Sequence, residues 1–267
     1  MKLYYRKEGK GPAVVIVHGL YGSSDNWMNM GKRLSENHTV YMIDQRNHGR
    51  SPFANENSYN DMRNDLVEFF EEHGIEKTTI LGHSMRKKTA MWFAEKKKKK
   101  VEKLVIADMA PKDYMENKEQ SQYYLHRNIL QAMQELDFSQ VKKRTDVDDL
   151  LAEKIDSERI RQFLIKNVTK DKKNKQYRWR VNVEVLYDYL EEIVGGVNRR
   201  WLDDRIPITN YPVIFIRGLE SNYITDEDID LIESIYPDAN IFDIPGAGHW
   251  LHAEKPNEFM DAVVKCC

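Results

Sequence analysis

Thr78-Thr79-Ile80-Leu81-Gly82-His83-Ser84-Met85 is the stretch from which the fold is read. A β-branched, apolar run of strand length meets a glycine, and a segment with helical spacing, Thr89 to Glu95, follows it. Strand, tight turn, hydroxyl and helix is the order of a nucleophile elbow, in which a sharp bend holds a serine exposed at a sheet edge. Ser84 is thereby the candidate nucleophile, and its bland alternative is a helix N-cap. A serine hydroxyl is a weak nucleophile at neutral pH and needs a base brought from elsewhere in the chain.

Runs of the same kind lie on both sides: Ala13–Val17, Thr39–Ile43 and residues 104–107, then residues 213–216 and 240–243. Apolar runs without polar alternation predict strands covered on both faces. Tyr59 to His73 carries Met62, Leu66, Phe69 and Phe70 on one stripe and predicts a crossover helix; two more are predicted over 226–235 and Pro256–Val264. Such alternation predicts an α/β fold with a mostly parallel sheet flanked by helices. After Pro111 the pattern changes. Residues 112–205 are rich in Glu, Gln, Lys, Arg, Tyr and Leu, with helical spacing at Tyr123, Leu125, Ile129, Leu130 and Met133. The expected organisation is a core of residues 1–111 and 206–267 interrupted by an inserted helical lid, 112–205.

That insertion accounts for the length: 267 residues at ~150 per domain is about 1.8 domains. Hydrophobic residues at 41% and charged residues at 31% exclude a disordered or collagen-like chain. Lys+Arg of 41 against Asp+Glu of 43 leaves a net charge of −2, so no global field draws nucleic acid or an anionic membrane. The run Lys96 to Lys100 reads as a solvated positive face. Cys266 and Cys267 are adjacent and cannot close a loop across the fold, which fits a reducing compartment. The charged start and the lack of any run near the ~20 apolar residues of a membrane span predict a cytoplasmic protein.

A base for Ser84 is offered by Gly246-Ala247-Gly248-His249-Trp250, just after the last predicted strand, where flanking glycines let a loop carry an imidazole over the sheet edge. Serine first and histidine last is the chain order of one hydrolase fold and not of the unrelated serine proteases. On these residues the chain resembles the α/β-hydrolase superfamily, and within it small bacterial esterases and thioesterases with a helical lid. The resemblance covers nearly the whole chain.

What the resemblance implies extends to further positions. Val17-His18-Gly19-Leu20 is similar to the loop that supplies one oxyanion donor, so the Leu20 and Met85 backbone N–H groups would hold the tetrahedral oxyanion. Asp44-Gln45-Arg46-Asn47-His48-Gly49-Arg50-Ser51 is similar to the family's D-x-R-x-x-G-x-S loop, with Asp44 and Arg46 structural and His48 a candidate pocket wall. The acid has two candidates. Most members take it after the next-to-last strand, where Gly218-Leu219-Glu220-Ser221 stands and Ser221 fills the acid's position. The subgroup this chain looks like takes it before the lid, from Ala107-Asp108-Met109. Asp108 is preferred and Glu220 is the alternative.

The elbow departs from G-x-S-x-G, because Arg86 and Lys87 follow Met85. A side chain where the family has glycine overpacks the turn by ~1–3 kcal/mol, and Arg86, Lys87 and Lys88 oppose the helix dipole. Either Arg86 finds a route to solvent and the elbow survives, or the Met85 N–H turns away and turnover falls by ~10²–10³. Three readings follow. The first is a serine hydrolase acting on small-molecule acyl esters or thioesters with no cofactor; the second is C–C hydrolysis or a lyase step on the same fold. The third is a catalytically impaired or silent variant. Tyr123, Tyr124, Trp179 and Tyr187 are candidate walls of an acyl pocket, against a core role. Arg127, Arg178 and Arg180 are weighed as contacts for acyl-CoA phosphates, against a solvated surface.

Overall fold

The computed structural model describes residues 1–84, 87–115, 122–195 and 206–264, and Lys87 by its backbone alone. Met85, Arg86, Cys266 and Cys267 lie outside them. The strands are β1 (Tyr5–Glu8), β2 (Ala13–Val17), β3 (Thr39–Ile43), β4 (Thr78–His83), β5 (Val101–Ala107), β6 (Val168–Lys170), β7 (Tyr177–Trp179), β8 (Val213–Gly218) and β9 (Asn240–Ile244). Seven of them form one sheet in the order β1-β3-β2-β4-β5-β8-β9. Only β1 runs antiparallel. Register pairs Val17 with Gly82, His83 with Ala107 and Ala107 with Ile216, so four strands end together at one edge.

Side chains alternate across each strand, and both sets are buried. Val15, Val17, Ile80, Leu104, Ile106 and Phe215 meet Phe69, Phe70, Phe93 and Tyr236 on one face. Val14, Ile16, Leu81, Val105 and Ile216 meet Trp27, Met30, Leu251 and Phe259 on the other. The covering helices include α1 (Met28–Leu34), α2 (Tyr59–Glu72) and α3 (Lys87–Lys96). α2 begins where the Ser58 hydroxyl accepts from the Asp61 N–H and ends with His73 as its C-cap.

The segment read as a lid carries α4 (Gln122–Gln134), α5 (Asp146–Ala152), α6 (Glu158–Ile165), α7 (Val183–Asp188) and α8 (Leu190–Val194). Its apolar side chains, among them Leu130, Met133, Leu164 and Leu186, form a cluster with Leu20, Tyr21, Met109 and Tyr223 from the strand ends. The segment therefore sits over the edge where the strands terminate. It is not helical throughout, because β6 and β7 make an antiparallel hairpin within it. Three-residue strands around a lysine-rich turn are too short to show alternation. The edge strand β1, Tyr-Arg-Lys-Glu, is likewise hidden by its charges.

The lysines fare differently from one another. Lys97 pairs with Glu71, Lys98 with Glu95, and Lys100 donates to the Ile75 carbonyl. Lys88 is not on the surface at all: its amine is buried and donates to the carbonyls of Val194 and Gly195 at the end of α8. Burial pulls its pKa down to about 7. A helix that loses its last carbonyls' partners needs a substitute donor, and Lys88 supplies it.

Candidate active site

β4 ends at His83, and Ser84 turns the chain with φ +62°, a left-handed conformation that a residue with a Cβ adopts at a cost of about 1–3 kcal/mol. The turn lifts the hydroxyl off the strand axis. β5 ends similarly: Asp108 has φ +53°, and its N–H donates to Ile216 O at 2.7 Å. His249 arrives on the loop after β9 and bridges them. Its Nε2 lies 2.9 Å from Ser84 Oγ and its Nδ1 lies 2.8 Å from Asp108 Oδ2. A carboxylate only accepts, so Nδ1 carries the proton and Nε2 keeps a lone pair facing the serine. Glu220 makes no hydrogen bond to His249; its backbone N–H donates to Ala247 O, and its side chain faces the cavity.

Each member is held by neighbours that the sequence did not reveal. Asp108 Oδ2 also accepts from the Ser221 hydroxyl at 2.5 Å, and Oδ1 accepts from Gly218 N–H at 3.3 Å. Ser221, at the position the resemblance assigns to the acid in most members, thus bonds to the carboxylate at the end of β5. The Tyr223 ring stacks on the His249 imidazole at 3.8 Å between centroids and 19° between planes. His83 Nε2–H donates to His249 O at 2.9 Å. Glu254 accepts from Gly248 N–H at 2.7 Å and Trp250 N–H at 3.1 Å, the amides on either side of His249. Its outer edge meets Arg159 of α6, whose guanidinium lies 4.8 Å from the centre of the Trp250 ring. None of these contacts has a periodicity or spacing that would reveal it.

The loop carrying Leu20 is fixed from behind. His18 is buried; its Nδ1–H donates to Gly19 O at 2.8 Å, and its Nε2 accepts from Gln45 N–H at 3.0 Å. The Gln45 amide returns a bond to His18 O at 2.7 Å. Among the described residues no acceptor takes the Leu20 N–H. Met85, the second expected donor, lies outside the described residues, as do Arg86 and the Lys87 side chain.

Gly19 makes the approach possible, since a Cβ there would sit 2.7 Å from Ser84 Cβ. Gly19→Ala is therefore expected to destabilise the fold by about 1–3 kcal/mol. A displacement near 1 Å should also lower kcat by about 10². Thermal unfolding and turnover of one ester measure both, and unchanged values for the two would contradict this packing.

Above Ser84 lies a cavity of about 250 Å³. Its wall is largely apolar, with Leu20, Trp27, Leu125, Ile129, Ile160 and Phe163, and its polar side chains include Gln122, His126 and Tyr223. Burial first, and then the electrostatic influence of His249, pull the His126 pKa down to about 3, so that ring is neutral at physiological pH. The four aromatic residues weighed as pocket walls against a core role do not line this cavity, and Trp179, Tyr123 and Tyr187 join the core cluster under the lid instead. Gln122, Leu125, His126 and Ile129 form the inward face of α4 at i, i+3, i+4 and i+7, which turns Tyr123 and Tyr124 aside. Trp179 is buried and donates to Met133 O, and Tyr187 packs on the same cluster. His48 is no wall either: it is fully buried beside His18, with Nδ1–H donating to Arg46 O at 2.9 Å. Asp44 accepts from Ser24 and Arg50 N–H, and Arg46 makes two bonds to Asp65, so both fix the loop.

Among the described residues no group of His, Cys, Asp and Glu is arranged to hold a metal ion, and no helix is long and apolar enough to cross a membrane.

Residues 12–256 match the family model described as alpha/beta hydrolase fold. The chain is 34% identical over 250 residues to esterase YbfF of Escherichia coli, covering 94% of this chain and 91% of that one. It is 34% identical over 270 residues to the sn-1-specific diacylglycerol lipase ABHD11 of Danio rerio, covering 96% and 79%. A solved structure of a marine microorganism esterase superposes with a TM-score of 0.92 at 40% identity, covering 100% and 99% of the two chains.

Proposed function

This chain belongs to the alpha/beta-hydrolase fold family, and from that premise we propose that it is a serine hydrolase of carboxylic esters or thioesters. Ser84 Oγ attacks the acyl carbonyl while His249 Nε2 takes its proton. Asp108 holds the imidazole in the tautomer that can accept, and stabilises the imidazolium once it forms. The Leu20 N–H, with that of Met85, receives the oxyanion. His249 then returns the proton to the leaving alkoxide or thiolate. Water repeats the sequence on the acyl-enzyme, with His249 as base. Residues 112–205 serve as the lid, and its α4 and α6 shape the acyl pocket. No step calls for a cofactor.

The observation that carries this reading is the pair of contacts at 2.9 and 2.8 Å through one imidazole, with the serine at a left-handed turn. A fluorophosphonate probe tests it, the expected result being stoichiometric labelling at Ser84 together with turnover of short aryl esters. Arg86 falls at the second glycine of G-x-S-x-G and Lys87 follows it, which makes a silent variant the competing reading. Absence of labelling and turnover, both regained by Arg86→Gly with Lys87→Gly, would replace the active enzyme by that variant.

A further inference from the structure

Beside the Ser84 cavity a second, open one of about 520 Å³ runs between the turn Ser24–Trp27 and the lid. Asn26 lines both, so the two adjoin at that residue. The two differ in charge. Among the described residues Glu220 is the one carboxylate lining the first, and neither Lys nor Arg lines it. Arg144, Lys166 and Arg180 line the second, against the single carboxylate Asp25.

That carboxylate is already committed. Asp25 accepts from Arg6 at 2.6 Å, from Arg50 at 3.3 Å and from Arg180 at 3.1 Å, so three guanidinium groups share one negative charge. The cations retain unused donors. Among the described residues no carboxylate pairs with Lys166, and no acceptor takes Arg180 Nη1, its bonds to Asp25 and to the Lys166 carbonyl both coming from Nη2. Arg144 spends Nε and Nη2 on the Ile165 carbonyl, and no acceptor among the described residues takes its Nη1. Several cations at separate positions, each with a donor to spare, suit a tetrahedral dianion with several acceptor oxygens better than a planar carboxylate.

We propose that this groove binds a phosphoryl group carried by the leaving group, so that the preferred substrates are esters of phosphorylated alcohols or thioesters of phosphorylated thiols. The assignment rests on the Ser84 reading and extends it: the largely apolar cavity takes the acyl chain, and the cationic groove takes the remote end of the departing alcohol or thiol. Binding energy so far from the carbonyl would hold the acyl group in place for attack.

Matched pairs test it. One compares an acyl-coenzyme A with the same acyl group on pantetheine, and the other an acylglycerol phosphate with the acylglycerol. In at least one pair the phosphorylated member should have a kcat/KM about tenfold or more higher, as expected for one charge-assisted hydrogen bond. The ratio should shrink with added salt and fall toward one in Lys166→Glu, an exposed position where folding is not at stake. Arg180→Gln should lower it further. Which pair responds identifies the thiol or the alcohol as the source. Calorimetry of coenzyme A and glycerol phosphate on the Ser84→Ala chain reads the groove without turnover, with one of them binding and Lys166→Glu weakening it about tenfold. Ratios at or below one in both pairs, ratios indifferent to both substitutions, or no binding of either compound would overturn the assignment. Failure of the Ser84 reading would show differently, as no turnover of any ester while the calorimetric binding persists.

Discussion

Ser84→Ala is expected to lower kcat for a short aryl ester by about 10⁴- to 10⁶-fold, the range found when the nucleophile of a serine triad is removed. The substitution deletes one oxygen from a place already built around a Cβ, so folding should change little. The left-handed turn is as strained for alanine as for serine, and the bond lost to His249 contributes about 0.5–1.5 kcal/mol. Because nucleophile and base act as a unit, adding His249→Ala to Ser84→Ala should cost almost nothing more. Steady-state rates on the single and double variants, with thermal melts as a folding control, decide the matter. A Ser84→Ala chain with unimpaired turnover would remove the covalent route altogether.

Asp108→Asn should lower kcat by about 10⁴, as the corresponding change does in a serine protease triad. The carboxylate takes hydrogen bonds from His249, Ser221 and Gly218 at once. An amide in its place turns an N–H toward Nδ1, which favours the ring tautomer whose Nε2 already bears the proton and cannot accept one from serine. Glu220→Gln serves as the comparison and should have an effect about a hundredfold smaller or less, since no hydrogen bond joins Glu220 to the ring. If the two substitutions exchanged their effects, the acid would belong to the loop after β8.

Much of this was legible in the amino-acid order, and the pattern of what was not has a physical cause. Ala13–Val17, Thr39–Ile43 and Pro256–Val264 appear with the bounds expected of them, because doubly covered strands and an amphipathic helix write their burial into local composition. Ser84 and His249 were visible through the turn residues around them, and Asp108 through resemblance to one subgroup. Helical spacing left the four aromatic residues open between pocket wall and core, because it says which residues share a face, not which face looks into the cavity. One step in phase separates Tyr124 from Leu125. Tyr223, His83 and Glu254 came from no local signal, since what recruits them is the meeting of distant loops at the sheet edge. The edge strand β1 and the lid hairpin are short and charged, so propensity alone cannot mark them.

Glu254 grips the main chain on both sides of His249, and the oxygen that accepts from Trp250 N–H also pairs with Arg159 of α6, the helix that presents Ile160 and Phe163 to the cavity above Ser84. On the proposed mechanism the roof over the acyl chain and the general base are thereby joined by one ion pair, and neither could be re-engineered in isolation. A lid transplanted from a relative without a cation at that spot would leave Glu254 with less to hold it. Such a chimaera should turn over even the smallest acetate ester more slowly, although that substrate never touches the graft.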